Sequence, residues 1–248
     1  MIKFAIITPT YNEAGNIGVL LGQLENVCQT IKDGRFTIVV ADDDSPDGTA
    51  DLVRATAKKV KAKNVEIRVL LRKKKDGLGR AYINAFKVLL KEDFDYILQM
   101  DADLSHDPKY IKKFVAEARK GRDFVAASRY TKGGGVDNWG WHRRILSWGG
   151  NFYTRLILGR KVTDYTTGFN MYSTKLLREL DMNSLTYGGY GFFIELKYKA
   201  IQLSKNFAQV PFIMTDRVHG KSKIPKRTIL VNLQLVPRLR LTNKKSRT

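Results

Sequence analysis

Four short apolar runs, each followed by a segment with helical or turn-like spacing, constrain this chain most strongly. Phe4 to Thr8, Phe36 to Ala41, Val65 to Leu71 and Tyr96 to Met100 are strand-length and apolar nearly throughout. A strand with one wet face alternates polar with apolar, whereas an unbroken apolar run belongs to a sheet covered on both faces. Helical patterns cover Asn16 to Ile31, Thr49 to Val60, Leu78 to Leu90 and Tyr110 to Lys120, and a further apolar run spans Phe124 to Ala127. Strands alternating with helices assemble through right-handed crossovers into a mainly parallel sheet. The expected class is α/β, with ligand-binding loops gathered at the carboxyl edge of the sheet.

Each run stops at a polar motif. The fourth is followed by Asp101-Ala102-Asp103. Two carboxylates two residues apart at the end of a buried strand cannot both face the core, so they emerge together at its mouth. Such a hard, oxygen-rich pair suits Mg²⁺ or Mn²⁺ carrying a diphosphate, although a polar loop after a strand would look the same in isolation. The first run leads into Pro9-Thr10-Tyr11-Asn12-Glu13. There Tyr11 offers a ring to a base and Glu13 an acceptor to ribose or base, or simply an acid at a helix start. The second leads into Asp42-Asp43-Asp44-Ser45-Pro46-Asp47-Gly48-Thr49. Asp42 or Asp44 could meet a nucleotide, and Asp47 or Thr49 could cap the next helix. The third exits at Lys73-Lys74-Lys75-Asp76-Gly77-Leu78-Gly79, cationic and glycine-bearing where phosphates could sit.

After Ser128 the pattern changes. Tyr130 to Trp141 contains Gly133, Gly134 and Gly135 and reads as a mobile loop. Arg143 to Leu158 reads as a helix with Arg143 and Ser147 one turn apart, and a helix around Phe192 to Leu203 and a strand Ala208 to Ile213 follow. Thr228 to Leu241 is amphipathic and basic, and Pro237 is expected to limit any helix before it to about two or three turns. Ile229, Leu230, Val231, Leu233, Leu235 and Val236 supply an apolar face, with Lys226, Arg227, Arg238 and Arg240 for anionic headgroups. The alternative is a helix docked on the body of the protein. The expected organisation is a catalytic domain over 1–226, with halves 1–128 and 129–226, and a basic tail over 227–248.

The formal charge of +20 attracts polyanions, and from Arg217 onward there are ten Lys or Arg and no acid. No run approaches the ~20 apolar residues of a membrane span, and Lys3 with a short strand-like run does not make a signal peptide. The single cysteine, Cys28, excludes an intrachain disulfide and reads as a buried apolar residue. His106, His142 and His219 share no metal-ligand or triad spacing and are expected at turns or on the surface, with His106 near enough to Asp101 and Asp103 to orient a carboxylate. Trp139 and Trp141 either pack the glycine loop or touch a lipid interface.

The order P-T-Y-N-E, D-D-x-S-P-D-G-T, G-L-G-x-A and D-A-D along the first four runs resembles the family 2 glycosyltransferases of the GT-A type. These are Rossmann-like enzymes that use a nucleotide-sugar and a divalent metal. Ser128-Arg129-Tyr130, Gly133 to Val136, Trp139, Arg143, Ser147, Asp164, Thr167-Gly168-Phe169, Glu195 and Asp216 to Lys223 are similar to the dolichol-phosphate or polyprenol-phosphate mannose synthase branch. The likeness runs from residue 3 to 225. It implies that Pro9, Tyr11, Glu13 and Asp42 hold the nucleoside and that Asp101 and Asp103 organise the metal, Asp103 as direct ligand. It implies further that Arg129, Arg143 and Ser147 bind the acceptor phosphate, and that Arg217 and Lys223 close over the diphosphate. Relatives often carry Gln two residues after the second aspartate; here Ser105 stands there, and its hydroxyl or a water would take that ligand position.

The implied activity is inverting transfer of mannose from GDP-mannose to a polyprenyl (dolichyl-type) phosphate. The metal is Mg²⁺ or Mn²⁺, and the site is peripheral to the cytoplasmic face of a membrane, with or without a separate membrane-anchoring subunit. The chemistry agrees with a phosphate acceptor. A sugar hydroxyl needs a general base, whereas a phosphate monoester, with a second pKa of about 6, arrives already anionic. Arginines suit its bidentate recognition. Another donor such as UDP-glucose, or a carbohydrate acceptor, would use the same fold. A nucleic-acid-binding protein driven by charge is the remote alternative; it is disfavoured because the carboxylate clusters repel phosphate and no nucleic-acid module is present.

Overall fold

The computed structural model describes residues 1–216 and 226–245, with side chains at all of these except 190, 226–232 and 243–245. The chain runs β1 (Ile2–Thr10), α1 (Ala14–Cys28), β2 (Gly34–Asp42), α2 (Thr49–Ala57), β3 (Val65–Leu71), α3 (Leu78–Leu89) and β4 (Tyr96–Gln99). It continues through α4 (Ile111–Arg119), β5 (Phe124–Ser128), β6 (Gly135–Val136), α5 (Trp141–Leu158), β7 (Asn170–Ser173) and α6 (Thr174–Glu179). Last come α7 (Gly189–Leu203), β8 (Phe207–Pro211), β9 (Ile213–Met214) and α8 (Lys226–Lys245). Seven strands form one sheet in the order β3-β2-β1-β4-β7-β5-β8, and β6 pairs with β9. β3, β2, β1 and β4 are mutually parallel, and β5 is parallel to β8. Only β7, between β4 and β5, runs antiparallel in this sheet.

The unbroken apolar runs are explained by layers on both faces. Ala5, Ile7, Val39 and Ala41 pack with Tyr82 and Phe192 on one side. Phe4, Ile6, Ile38 and Val40 pack with Leu20 and Phe114 on the other. Successive strand side chains alternate faces, so both sets must be apolar. The strand order reverses between β1 and β4. At such a switch point the loops diverge and leave a crevice outside the carboxyl ends. Three non-glycine residues with positive φ fall on this edge, Asn12 (59°), Asp44 (56°) and Leu104 (65°), after β1, β2 and β4. For Leu104 that backbone costs about 1–2 kcal/mol, held only because the loop around it is over-determined.

Two expectations change. The glycine segment is pinned rather than loose, because β6 lies within it and Trp139 is buried beneath the Arg143 guanidinium, 3.7 Å from the ring centroid. A Cβ on Gly134 would meet the Ser128 carbonyl oxygen at 2.5 Å, so the close passage there requires glycine. The second change concerns Pro237, which does not stop the last helix: α8 runs continuously from Lys226 to Lys245. Proline leaves the carbonyl four residues earlier, that of Leu233, without its helical donor. The Tyr153 hydroxyl on α5 donates to that carbonyl at 2.9 Å. Leu235, Val236 and Leu239 are buried in the core, so this part of the tail is docked on the body. Among the described residues no helix is long and apolar enough to cross a membrane.

Tyr153→Phe should therefore lower unfolding free energy by about 0.5–1.5 kcal/mol. In a Pro237→Ala background, where residue 237 supplies its own N–H, the same substitution should be close to neutral. A urea-denaturation double-mutant cycle measures the difference.

Candidate active site

The motif after β2 serves the motif after β1. Ser45 Oγ accepts from Asn12 N (3.0 Å), Thr49 Oγ1 from Glu13 N (3.0 Å) and Asp47 Oδ2 from Ala14 N (3.0 Å). These N–H groups at the start of α1 have no helical partner, and side chains from a neighbouring turn satisfy them. Asp42 is buried and accepts from Thr10 Oγ1 (2.7 Å), Ser45 N (2.9 Å) and Ser45 Oγ (2.7 Å). It thus shapes the turn and lines neither of the cavities described below. Asp43 is paired with buried Arg72, which also bridges to Asp76 on the β3–α3 loop. Tyr11 stands at the rim, its ring covered by the Lys75 ammonium at 3.5 Å.

Pro9 and Glu13 from the end of β1 and Asp101 and Asp103 from the end of β4 line one cavity at the switch point. Asp103 is nearly buried, and its Oδ1 accepts from Ser105 N (3.1 Å) and Ser105 Oγ (2.6 Å). The Ser105 hydroxyl is thereby directed at Asp103 and orients it. His106 sits at a bend in the loop after β4 but is fully buried, so the surface alternative expected for it is ruled out. Its Nδ1 accepts from Asp101 N (3.0 Å) and its ring stacks on Phe169, centroids 4.9 Å apart. Burial, ahead of the surrounding charges, pushes the imidazole down to about 4, so the ring is neutral and Nδ1 is free to accept. Gly168 packs against the same loop; a Cβ there would lie 2.7 Å from the Phe193 ring and 3.2 Å from Asp101 Oδ1. Among the described residues no group of three or more His, Cys, Asp and Glu is placed to hold a metal ion, so Asp101 and Asp103 make an open, all-oxygen donor pair. That fits Mg²⁺ or Mn²⁺, which complete their shells with substrate phosphate and water.

A second cavity, mainly apolar, opens beside the first. Leu146, Tyr153, Ile194 and Leu233 line it, and Arg129, Arg143 and Ser147 supply polar groups. The three residues expected to meet an acceptor phosphate are thus brought together. Arg129 is buried and forms a two-pronged pair with Asp164, Nε–Oδ2 2.7 Å and Nη2–Oδ1 2.8 Å, and also donates to Thr166 Oγ1. Burial would raise the Asp164 carboxyl, but Arg129 and then Lys197 hold it well below the usual carboxylate range. Arg143 pairs with Asp216 at 2.8 Å, and Ser147 Oγ lies 2.7 Å from the Tyr130 hydroxyl. Glu195 accepts from Thr186 N and Tyr187 N, bracing the segment before α7. Arg217, Lys223 and His219 lie outside the described residues.

Lys197 and Arg72 escaped the sequence reading. Lys197 is buried in α7, and its Nζ donates to the Asp164 carbonyl at 2.6 Å; burial lowers its pKa to about 7 against the pull of Asp164. Its neighbours Glu195 and Lys199 on the same helix gave the sequence nothing to set it apart.

The glycosyl transferase family 2 model matches residues 5–181. This chain belongs to glycosyltransferase family 2. The glycosyltransferase is 36% identical over 223 residues to an undecaprenyl-phosphate mannosyltransferase of Micrococcus luteus, covering 90% of this chain and 88% of that protein. It is 35% identical to a polyprenol monophosphomannose synthase of Mycolicibacterium smegmatis, covering 88% of this chain and 80% of that one. It is 33% identical to a dolichol-phosphate mannosyltransferase of Pyrococcus furiosus, covering 96% of this chain and 64% of that one. In fold the glycosyltransferase is of the GT-A type. A glucosyl-3-phosphoglycerate synthase from Mycobacterium tuberculosis, solved with Mn²⁺, uridine diphosphate and phosphoglyceric acid, superposes with a TM-score of 0.66 at 18% identity, over 97% of this chain and 78% of that one.

Asp164→Asn in the glycosyltransferase should cost about 3–5 kcal/mol in urea unfolding, because it strands a buried guanidinium. Lys197 gives a pH signature. Its folded pKa of about 7 lies below the ordinary lysine value, so between them the unfolded chain binds the proton more strongly. Its contribution to stability is present at high pH and is lost as pH falls to about 7. The thermal midpoint of Lys197→Met, relative to wild type, should therefore fall progressively as pH is raised from about 7 to 9.

Proposed function

We propose that this glycosyltransferase moves a mannosyl residue from GDP-mannose to a polyprenyl phosphate, with inversion at the anomeric carbon. One observation carries the reading: Asp101 lines both cavities. The switch-point crevice with Glu13 and Asp103 suits a nucleoside diphosphate, and the apolar cavity with Arg129, Arg143 and Ser147 suits a phosphate on a hydrocarbon chain. The names of the relatives at 33–36% identity point the same way.

In this reading Glu13 and Tyr11 receive the nucleoside, which displaces Lys75 from the tyrosine ring or stacks beneath it, while Asp42 holds the turn that presents them. Asp103, oriented by Ser105, and Asp101, fixed by His106, would hold Mg²⁺ or Mn²⁺. A bound cation of this kind neutralises charge developing on a departing diphosphate. Arg143 and Ser147 seat the acceptor phosphate, and Arg129, locked by Asp164, adds a fixed positive field at the floor of the cavity. An acceptor phosphate oxygen forms the new bond to C1 as the bond from C1 to the GDP oxygen breaks, and GDP leaves with that electron pair. The acceptor is already anionic, so no proton has to be taken from it. Arg217 and Lys223 are proposed to close over the diphosphate. A lipid acceptor places the enzyme at a membrane surface, on the cytoplasmic face where nucleotide-sugars are made.

Purified protein incubated with labelled GDP-mannose, polyprenyl phosphate and Mn²⁺ or Mg²⁺ should pass label into the organic phase. Chelation and Asp103→Ala should each reduce that transfer by about a hundredfold or more. Transfer from UDP-glucose alone would replace the sugar and keep the mechanism, and an α-linked product from the α-linked donor would exclude single displacement.

A further inference from the structure

Lys197 on α7 has no exposed surface, and among the described residues its polar contact is a backbone carbonyl, that of Asp164, rather than a carboxylate. A neutral amine could donate that hydrogen bond equally well, so the contact does not account for the charge. An apolar side chain at this position would avoid a large desolvation cost. The Asp164 carboxylate is engaged elsewhere. It accepts from Arg129 Nε (2.7 Å), Arg129 Nη2 (2.8 Å), Arg129 N (3.2 Å) and Thr166 N (3.2 Å). One carboxylate therefore serves two buried cations, and the cluster carries a net positive charge whenever Lys197 is protonated. The groups around it leave that balance unchanged. His106, from the loop after β4, is neutral, and Glu195 and Lys199 on α7 itself pair with each other at 2.9 Å.

The cluster backs onto the apolar cavity. Arg129, Thr166, Phe193 and Ile194 line that cavity, and Lys197 follows Phe193 and Ile194 by one helical turn. A long helical side chain leans back over the preceding turn, which carries the ammonium behind the wall these two residues make. Charges separated by protein rather than water are weakly screened. A phosphate monoester in the cavity would bring close to two negative charges. Arg129 is matched by Asp164 and Arg143 by Asp216. Lys197 supplies the positive charge that those two pairs do not.

We infer that Lys197 is a buried counter-charge of the acceptor site, so that a phosphate monoester entering the cavity draws a proton onto this amine and is held by the ammonium through the Phe193–Ile194 wall. The inference rests on the phosphate-acceptor reading of that cavity. Lys197 is a positioning residue, acting through its field and not by touching the phosphate. Burial lowers its pKa to about 7 in the empty protein, so above neutrality much of the amine is uncharged until phosphate arrives. A bound dianion favours the charged form and raises that pKa. Proton uptake on binding follows, and affinity falls as pH rises above about 7.

Calorimetric titration of the full chain with geranyl phosphate, in buffers of different ionisation enthalpy, counts the protons exchanged. At pH 8 the free monoester is already a dianion, its second pKa being about 6, so uptake there comes from the protein. Wild type should take up roughly half a proton or more at pH 8 and show net release at pH 6, where the monoester must lose one. Lys197→Met should keep the release at pH 6, take up none at pH 8 and bind about fivefold or more weaker at pH 7. Lys197→Arg, charged at every pH, should bind at pH 8 at least as tightly as wild type, again without uptake. Were neither variant to fold, the reversal from release to uptake in wild type alone would still decide the matter. Absence of uptake by wild type at pH 8, equal uptake by Lys197→Met, or unchanged affinity in that variant would overturn the inference and leave the acceptor reading standing. No binding of geranyl phosphate by wild type would remove that reading and the inference with it.

Discussion

A parallel sheet covered by helices on both faces has nowhere to do chemistry except at its ends, and the rest of this molecule follows from that constraint. The two core clusters take the buried apolar side chains of β1 and β2, Phe4 to Ile7 and Phe36 to Ala41 apart from Thr37, so recognition is confined to the loops where those strands and β4 finish. The reversal of strand order between β1 and β4 spreads these loops apart, and the two acids after β4 face Pro9 and Glu13 across the gap. The second half adds one antiparallel strand, β7, whose preceding residues Thr166 to Gly168 wall a second cavity together with α5.

Loops crowded onto one edge must satisfy one another's polar groups, because water reaches few of them. The turn after β2 caps α1, Ser105 holds Asp103, His106 receives the Asp101 N–H, and Asp164 receives Arg129. The same economy explains how α8 passes Pro237, since Tyr153 supplies the missing donor. Residues of this kind look chemical in a sequence and act by positioning others in the fold. Asp42 is one case: a carboxylate in a motif suited to nucleotides that accepts from Thr10 at the end of β1 and twice from Ser45 in its own turn.

Much of the architecture was legible in the chain. The apolar runs marked the strands to within one or two residues of Ile2–Thr10, Gly34–Asp42, Val65–Leu71 and Tyr96–Gln99, because burial on both faces leaves a local signal. Of the expected nucleoside residues Pro9, Tyr11, Glu13 and Asp42, Pro9 and Glu13 line one cavity with the expected metal pair Asp101 and Asp103, whereas Tyr11 and Asp42 do not; Arg129, Arg143 and Ser147 line the other. The burial of His106 was not legible, since it depends on Phe169 and Phe212, more than sixty residues away. Lys197 and Arg72 were invisible for a related reason. A single basic residue has no periodicity, and its partner is chosen by the fold.

The sequence by itself determined the α/β class, the strand ends that carry acids and the arginines available for phosphate, because hydrophobic period and motif order are local properties of the chain. Tertiary structure alone decided which of those groups face a cavity and which serve as scaffolding, because that depends on what lies opposite each one. It also decided which apolar surface is left over. Leu235 and Val236 of the apolar face expected on the C-terminal segment lie in the core and Leu233 is exposed, the side chains of Ile229, Leu230 and Val231 lying outside the described residues, whereas Trp141, Ile145, Trp148, Phe152 and Leu156 on α5 stay outside the core. Only the packing of one helix on another distinguishes a covered apolar face from an exposed one.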